Sequence, residues 1–218
     1  MPNWCSSVYA IYSDNEIELL RIMMMLREAS DKTGTCHSRE ILGALRCPEE
    51  ICREVDSRTS VENIESFYKD KKLRGVIIDT ESAWGPCNDF IETLINKIIP
   101  GSGDVKYCYL SEEEGCDVFV NSDTSGEFFD TRMRIDYSTP EDGTDVLYFG
   151  DDNFADCLEF LEDMVGESAV EDIDSYNDFF DEAVLGKIDD AFRAKYADRK
   201  EELECCEFFL CIRMFTLD

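Results

Sequence analysis

The sequence predicts an α+β fold in which helices pack on one face of a mainly antiparallel sheet. Two patterns support this class. Short segments rich in β-branched and aromatic residues recur between turn residues, and longer segments show apolar residues every three or four positions. Strands and helices in this order are typical of a sheet covered by helices on one side. With 218 residues, of which 44% are hydrophobic, the chain can bury a large core.

The first third of the chain predicts one strand and one long helix. Residues 8–12 form a short apolar segment and predict the strand. The helix is predicted over residues 14–29, because Asp14 suits an N-cap and the apolar residues that follow have helical spacing. The polar segment after this helix predicts only short helices, over residues 41–45 and 61–68.

A strand, a helix and a second strand come next. Residues 73–79 are rich in β-branched side chains and predict a strand, as do residues 105–110. Between them a helix is predicted over residues 87–99. Pro86 stands at its start, where proline is tolerated because the first backbone N–H groups of a helix have no partner within the helix.

A hairpin is predicted in the middle of the chain. Residues 121–126 are rich in turn formers, and they separate strands predicted over residues 118–120 and 127–137. A further turn at residues 141–143 leads into a strand over residues 146–149.

Two acidic helices and a final strand complete the predicted order. The helices are predicted over residues 152–165 and 175–199, each with one apolar and one acidic face, and Phe180 is assigned to the apolar face of the second. Residues 205–217 are rich in cysteine and aromatic side chains. They predict a strand apolar enough to lie centrally in a sheet.

Negative charge is the most unusual property of this sequence. The net charge is −29, and residues 111–192 account for −23 of it, with 26 acidic and three basic residues. A chain so acidic and yet rich in aromatic residues predicts charge displayed on a folded surface. Such charge disfavours direct binding to DNA, RNA or an anionic membrane and favours a basic protein partner. The charge boundary predicts two regions, 1–140 and 141–218, and leaves open whether they form one continuous domain.

The cysteines and the first residues predict a cytoplasmic protein. Eleven cysteines is an odd number, and the opening sequence shows neither the basic nor the sustained apolar segment of a secretory signal. The longest apolar segments have the length of strands, short of the roughly 18 residues that a membrane span needs. We therefore expect reduced thiols and a location in the cytoplasm.

Two short motifs resemble a known family. The chain opens with Met1-Pro2-Asn3-Trp4-Cys5, and Ser82-Ala83-Trp84-Gly85-Pro86 precedes a predicted helix. In this order the motifs resemble the YubB-type ferredoxin-like family of phage- and plasmid-borne proteins, which has Ser in the position of Gly85 and an Asn where this chain has Ser6-Ser7. The resemblance covers roughly residues 1–137. It implies a ferredoxin-like antiparallel sheet with helices on one face, a mobile-element origin and no catalytic residue; the acidic C-terminal helices and the final strand lie beyond it.

Metal and catalytic sites have weak support in the sequence. The best candidate metal ligands lack the tight C-x2-C spacing of structural zinc sites; they are Cys36, His37, Cys47 and Cys52. Residues 121–126 begin like a calcium loop, yet the twelfth position is Arg132, where a bidentate Glu is needed. A single histidine gives little basis for nucleophilic catalysis. We predict a protein without enzymatic activity, metal or cofactor.

The acidic helices carry the predicted partner-binding site. Residues 151–190 hold fifteen acidic residues and one lysine, so they lack the mixed charges of an ordinary solvated face. Carboxylates on successive helical turns recur about every 5–6 Å, a spacing that can imitate a row of backbone phosphates. The predicted contact residues are Asp151, Asp152, Asp156, Glu159, Asp163, Asp174, Asp178, Asp181, Glu182 and Asp189.

The leading hypothesis joins this surface to the family resemblance. It describes a phage or mobile-element protein that binds and blocks a basic nucleic-acid-binding surface of a host protein, as an anti-CRISPR or other anti-defence inhibitor acting as a nucleic-acid mimic. A second hypothesis is a non-enzymatic ferredoxin-like module that binds a small ligand or self-associates, and whose acidity serves only solubility. Trp4 and Trp84 are candidate ligand-stacking residues, although aromatic residues at the edges of strands and turns more often pack in the core.

Overall fold

The structure is a computed structural model that describes residues 3–34, 37–56, 58–99, 104–197 and 208–217. It is a mixed α+β protein with two sheets that are mostly antiparallel. The chain divides into two compact units, the first ending at Asp123 and the second comprising Thr124–Leu217. The charge pattern had placed a boundary near residue 140, but the hairpin that flanks this position lies wholly within the second unit.

The first unit contributes five strands to its sheet. They are β1 (Trp4–Tyr12), β2 (Ser60–Lys69), β3 (Lys72–Ala83), β4 (Lys106–Glu113) and β5 (Val118–Asn121). Their order is β2-β3-β1-β4-β5, and every neighbouring pair is antiparallel. The helices are α1 (Glu16–Thr33), α2 (Ser38–Ala44), α3 (Glu49–Cys52) and α4 (Asn88–Thr93), which continues as a π-helix over Leu94–Ile98; a 3-10 turn follows at Glu114–Cys116.

The core of the first unit is built on alternate residues of the strands. Tyr9 and Ile11 of β1 point to the same face, and their partners across the register, Ile78 and Val76 of β3, join them there. These four side chains are fully buried. Apolar residues of the helices complete the cluster: Leu19, Ile22, Leu26, Phe90 and Ile91.

Helix α1 begins later than predicted because a different residue caps it. The predicted cap was Asp14, whereas the side chain of Asn15 accepts hydrogen bonds from the backbone N–H groups of Ile17 (3.1 Å) and Glu18 (3.3 Å). The helix ends at Gly34, which has a left-handed φ of 61°.

The helix predicted over residues 61–68 is wrong, because this segment is strand β2. It pairs with β3 through a two-residue turn in which Asp70 (φ 52°) and Lys71 (φ 64°) are both left-handed. Such turns usually contain glycine or asparagine, so this one gives no hairpin signal in the sequence. The edge position of β2 also leaves half of its side chains in water, which weakens the apolar alternation.

The second unit contains a three-stranded sheet and a group of helices. The strands are β6 (Thr131–Thr139), β7 (Gly143–Gly150) and β8 (Phe209–Met214), in the order β7-β6-β8 and antiparallel. The helices are α5 (Phe154–Val165), α6 (Glu167–Val170) and α7 (Glu182–Tyr196), with 3-10 turns at Asp151–Asn153 and Tyr176–Phe180 and a two-residue strand β9 at Thr216–Leu217. Its core includes Met133, Ile135, Cys157, Leu161, Phe179, Ile188 and Phe192.

Three predictions for this part of the chain are corrected. The predicted hairpin between residues 118–120 and 127–137 does not form, since β5 pairs with β4, and β6 pairs with β7. The predicted helix over 175–199 is divided at Asp181, whose φ of −84° and ψ of 117° are extended. Strand β8, predicted to be central, lies at the edge next to β6. Cys205 and Cys206 of that predicted strand lie outside the described residues.

Candidate interaction surface

The acidic surface of the second unit begins on helix α5, which has one buried and one charged face. Cys157, Leu161 and Met164 are buried, whereas Asp156, Glu159 and Asp163 are exposed at spacings of three and four residues. Residues at these spacings are neighbours on a helix surface. The helix therefore presents its carboxylates as a row along the solvent side.

Two of the predicted contact residues instead build the turn between the helices. The carboxylate of Asp178 accepts hydrogen bonds from the backbone N–H of Asp174 (3.0 Å) and from both the N–H (2.8 Å) and the hydroxyl (3.2 Å) of Ser175. These backbone hydrogen bonds lower the pKa of Asp178 below its usual value. Asp181 caps α7 by accepting from the N–H of Ala183 at 2.8 Å.

Two other predicted contact residues have cationic partners within the unit. Asp151 pairs with Arg132, whose Nε and Nη2 lie 2.9 and 2.6 Å from the same carboxylate oxygen. Asp189 pairs with Arg193 one helical turn later, at 2.7 Å. Asp151, Asp178, Asp181 and Asp189 thus have structural roles in addition to their charge.

The remaining six predicted contact residues form the open part of the surface. All six are exposed, and none has an ion-pair partner among the described residues; they are Asp152, Asp156, Glu159, Asp163, Asp174 and Glu182. We call these six residues the open carboxylates. Their charge is not neutralised by the part of the chain that the structure describes.

The described basic residues of the second unit are all engaged elsewhere. Arg134 and Arg213 both contact Asp136, and Lys187 lies 3.4 Å from Asp172. Lys195 donates to the backbone carbonyl of Asp163 at the end of α5. With Arg132 and Arg193 in the pairs given above, the described cations act within the unit, and its outer face stays negative.

A cavity of about 530 Å³ lies beside this surface, within the second unit. The Arg132–Asp151 pair stands at one side, and Phe154, Tyr176 and Phe180 supply aromatic walls. The rings of Phe154 and Tyr176 meet edge to face, with centroids 4.8 Å apart. The sequence assigned Phe180 to the buried face of a helix, but that helix is interrupted there and Phe180 is 56% exposed.

Close backbone approach fixes one wall of this cavity. The carboxylate of Asp130 accepts hydrogen bonds from the N–H groups of Asp151 (3.0 Å) and Asp152 (3.5 Å). A β-carbon at Gly150 would lie 2.3 Å from Asp130, so only glycine fits. The hydroxyl of Tyr176 donates to the carbonyl of Gly150 at 2.7 Å, which holds the Tyr176 ring against the same turn.

The two tryptophans of the family-like motifs do not pack in the core, contrary to prediction. Trp4 is 52% exposed and Trp84 is 49% exposed. Trp84 also has a left-handed φ of 75°, which is uncommon for a bulky residue. Its backbone N–H donates to the backbone carbonyl of Asn3 at 3.0 Å. Both therefore present aromatic surface to solvent on the first unit.

Of the described candidate metal ligands near residue 40, Cys47 and Cys52 lie close together, and His37 does not complete a group with them. Cys47 and Cys52 are buried, and the thiol of Cys52 donates to the carbonyl of Cys47 at 3.6 Å. His37 is exposed and pairs through its backbone with Ser60, while Cys36 lies outside the described residues. No group of three or more His, Cys, Asp or Glu side chains with metal-binding geometry occurs in the ranges that the structure describes.

None of the described helices is both long and apolar enough to cross a membrane. Comparison with known proteins gave no match: no family model, curated protein or solved structure could be aligned significantly with this chain.

Proposed function

We propose that this protein is a non-enzymatic, cytoplasmic binding protein that covers a basic nucleic-acid-binding surface of another protein. One observation carries the proposal: six exposed carboxylates of the second unit have no cationic partner among the described residues, while the described Lys and Arg side chains of that unit are engaged internally. The surface lacks the interspersed positive and negative charges of an ordinary protein surface. A partner that supplies the missing cations fits this surface.

The mechanism follows from charge and spacing. Lys and Arg side chains that hold phosphates in the partner would form charge-assisted hydrogen bonds with the open carboxylates. Successive carboxylates on α5 repeat about every 5–6 Å, which suits cations arranged to contact a nucleic-acid backbone. Complementary charge accelerates association, and salt weakens it. Binding of this protein and binding of nucleic acid would then exclude each other.

The proposed biological setting is a phage or mobile element. A host defence nuclease, including an RNA-guided one, offers a basic groove of the required kind, and blocking it would make this protein an anti-CRISPR or related anti-defence inhibitor. A ferredoxin-like first unit is part of the same proposal. The strand order β4-β1-β3-β2, with α1 between β1 and β2 and α4 between β3 and β4, supports it.

The test uses a variant that removes four open carboxylates, three on α5 and one in the 3-10 turn before it. It combines Asp152→Asn, Asp156→Asn, Glu159→Gln and Asp163→Asn, and none of these side chains has an ion-pair partner among the described residues. The matched control changes four exposed acids of the first unit: Asp31→Asn, Glu50→Gln, Glu54→Gln and Asp104→Asn. Both variants lose four charges, so a difference between them reports position rather than net charge.

The readout is competition with labelled DNA or guide RNA for a panel of purified basic nucleases, measured by fluorescence anisotropy. We expect the natural protein to displace nucleic acid from at least one nuclease at 50 mM salt and to lose this ability near 300 mM. The second-unit variant should compete at least tenfold more weakly, and the control variant should compete normally. Equal competition by the two variants, or no competition at low salt by the natural protein, would contradict the proposal.

A second candidate function is favoured by the exposed tryptophans. A ferredoxin-like module that binds a small ligand or self-associates would use aromatic surface such as Trp4 and Trp84, and its acidity would serve only solubility. In that case the second-unit variant that lacks four carboxylates retains function. The double variant Trp4→Ala and Trp84→Ala then differs from the natural protein in sedimentation coefficient or in ligand binding.

A further inference from the structure

The cavity beside Phe154, Tyr176 and Phe180 combines aromatic walls with negative charge. Phe215 and Met214 extend its apolar lining, and the backbone N–H of Phe215 donates to the carbonyl of Arg132 at 2.9 Å. The cavity is therefore framed by the start of β6, the end of β8 and the turn before α7. An open volume of about 530 Å³ is large enough for a single long side chain.

The charges around the cavity favour a cation over an anion. Among the described residues that line it, the basic one is Arg132, whose Nε and Nη2 both donate to the carboxylate of Asp151. Asp174 also lines the cavity, is exposed and has no ion-pair partner within the described ranges. The Arg132–Asp151 pair is neutral as a unit, so Asp174 leaves the opening with a net negative charge, and the surrounding open carboxylates increase it.

The aromatic walls suit a planar or delocalised cation. A guanidinium or ammonium group placed over the face of an aromatic ring is attracted by the ring quadrupole, and the attraction grows when water is excluded. Phe180 is half exposed and forms the outer wall, while Phe154 and Tyr176 form an edge-to-face pair deeper in. Arg stacks on aromatic faces and forms paired hydrogen bonds with carboxylates, and Lys lacks the planar group for both.

We propose that this cavity receives one arginine side chain of the basic partner, with the guanidinium between Phe180 and Tyr176 and hydrogen-bonded to Asp174. The inference rests on the proposed function, because the partner surface supplies the arginine. It adds an anchor to a surface that otherwise acts by long-range charge. Exposed carboxylates alone raise the association rate and make it depend on salt, whereas a side chain that fills a pocket fixes the position of the partner.

The test isolates the side chain from the partner. The probe is Nα-acetyl-L-argininamide, titrated into the ¹⁵N-labelled full-length protein and followed by NMR. We expect saturable shifts of the backbone amides of residues 174–177, with a dissociation constant in the millimolar range, which a cation–π contact and a hydrogen bond to a charged group support together. The neutral isostere Nα-acetyl-L-citrullinamide has nearly the same shape and should give no saturable shift.

Two variants with matched controls identify the cavity. Phe180→Ala and Asp174→Asn should each weaken the probe by about three- to tenfold, the range expected for one cation–π or one charge contact. Phe209→Ala removes an exposed aromatic residue that does not line the cavity, and Asp145→Asn removes an exposed acid that neither lines it nor belongs to the open carboxylates; both variants should bind the probe normally. Both altered cavity side chains are exposed, so folding should be retained, and circular dichroism checks it.

The outcomes separate this inference from the proposed function. Equal binding of the citrulline probe, saturable shifts with inorganic phosphate in place of the cation, or no shift at residues 174–177 would each overturn the arginine site. If Phe180→Ala still competes with nucleic acid for the nuclease, the proposed acidic interaction surface is retained and the arginine site is rejected. Conversely, a cavity that binds the arginine probe in a protein that competes with no nucleic acid would retain the site and reject the proposed partner.

Discussion

At the scale of single residues, the second unit contains open carboxylates and carboxylates that already form ion pairs within the unit. Asp136 is the clearest example of the second kind: its side chain is 12% exposed and lies between Arg134, at 2.6 Å, and Arg213. Arg134 also lies over the ring of Tyr148, 5.9 Å from its centroid. Because Asp136 connects β6 to the edge strand β8, its charge is structural, although sequence alone gives it the same appearance as the open carboxylates.

Replacing Asp136 tests this distinction. Asp136→Asn removes an anion that two partly buried arginines contact, and a buried ion pair that loses one partner typically costs about 3 kcal/mol. We expect the urea midpoint of the variant to fall correspondingly. The control is Asp145→Asn on neighbouring strand β7, whose exposed side chain should change stability by less than about 0.5 kcal/mol. Equal effects of the two substitutions would show that the Asp136 cluster does not stabilise the sheet.

At the scale of elements, the sequence predicts strands and helices best where local and tertiary signals agree. The β3 segment is β-branched and buried on one face, and α5 keeps its apolar period to the end, so both were predicted near their observed positions. Strand β2 and the break at Asp181 were missed, because a turn without glycine and an acidic segment with helical periodicity give no local signal. The cavity was missed for the same reason: Phe180 faces solvent only because the helix is interrupted.

Composition predicts the charge of the acidic surface, but only the fold determines which of its carboxylates have partners. The excess of negative charge over residues 151–190 is a property of the sequence. Which carboxylates stay open depends on partners far along the chain, such as Arg132 for Asp151, and on the backbone donors that surround Asp178. Periodicity carries no information about either contact. Four of the ten predicted contact residues consequently have structural roles that the helical pattern could not indicate.

The interruption before α7 is testable at the same scale. Asp181→Ala removes the side-chain acceptor for the N–H of Ala183, and loss of an N-cap costs about 0.5–2 kcal/mol. Asp181→Asn removes the same charge but keeps a capping acceptor, so it should recover most of the stability lost by the alanine variant. Chemical denaturation followed by far-ultraviolet circular dichroism measures both. If the two variants are equally destabilised, the effect of Asp181 is one of charge and not of capping.

At the scale of the whole molecule, a net charge of −29 opposes the compact state through self-repulsion. Raising the salt concentration from 10 to 100 mM shortens the screening length from about 30 to about 10 Å, so it weakens repulsion between distant carboxylates while leaving short, partly buried pairs such as Arg134–Asp136 largely intact. We expect the Tm to rise by roughly 3–6 °C, which corresponds to about 1–2 kcal/mol for a chain of this size. NaCl and KCl should act equally, because screening depends on ionic strength. The second-unit variant that lacks four open carboxylates should gain less than the natural protein. A Tm that stays constant or falls with salt would mean that the surface charges are already balanced. The open carboxylates would then give no support for a cationic partner.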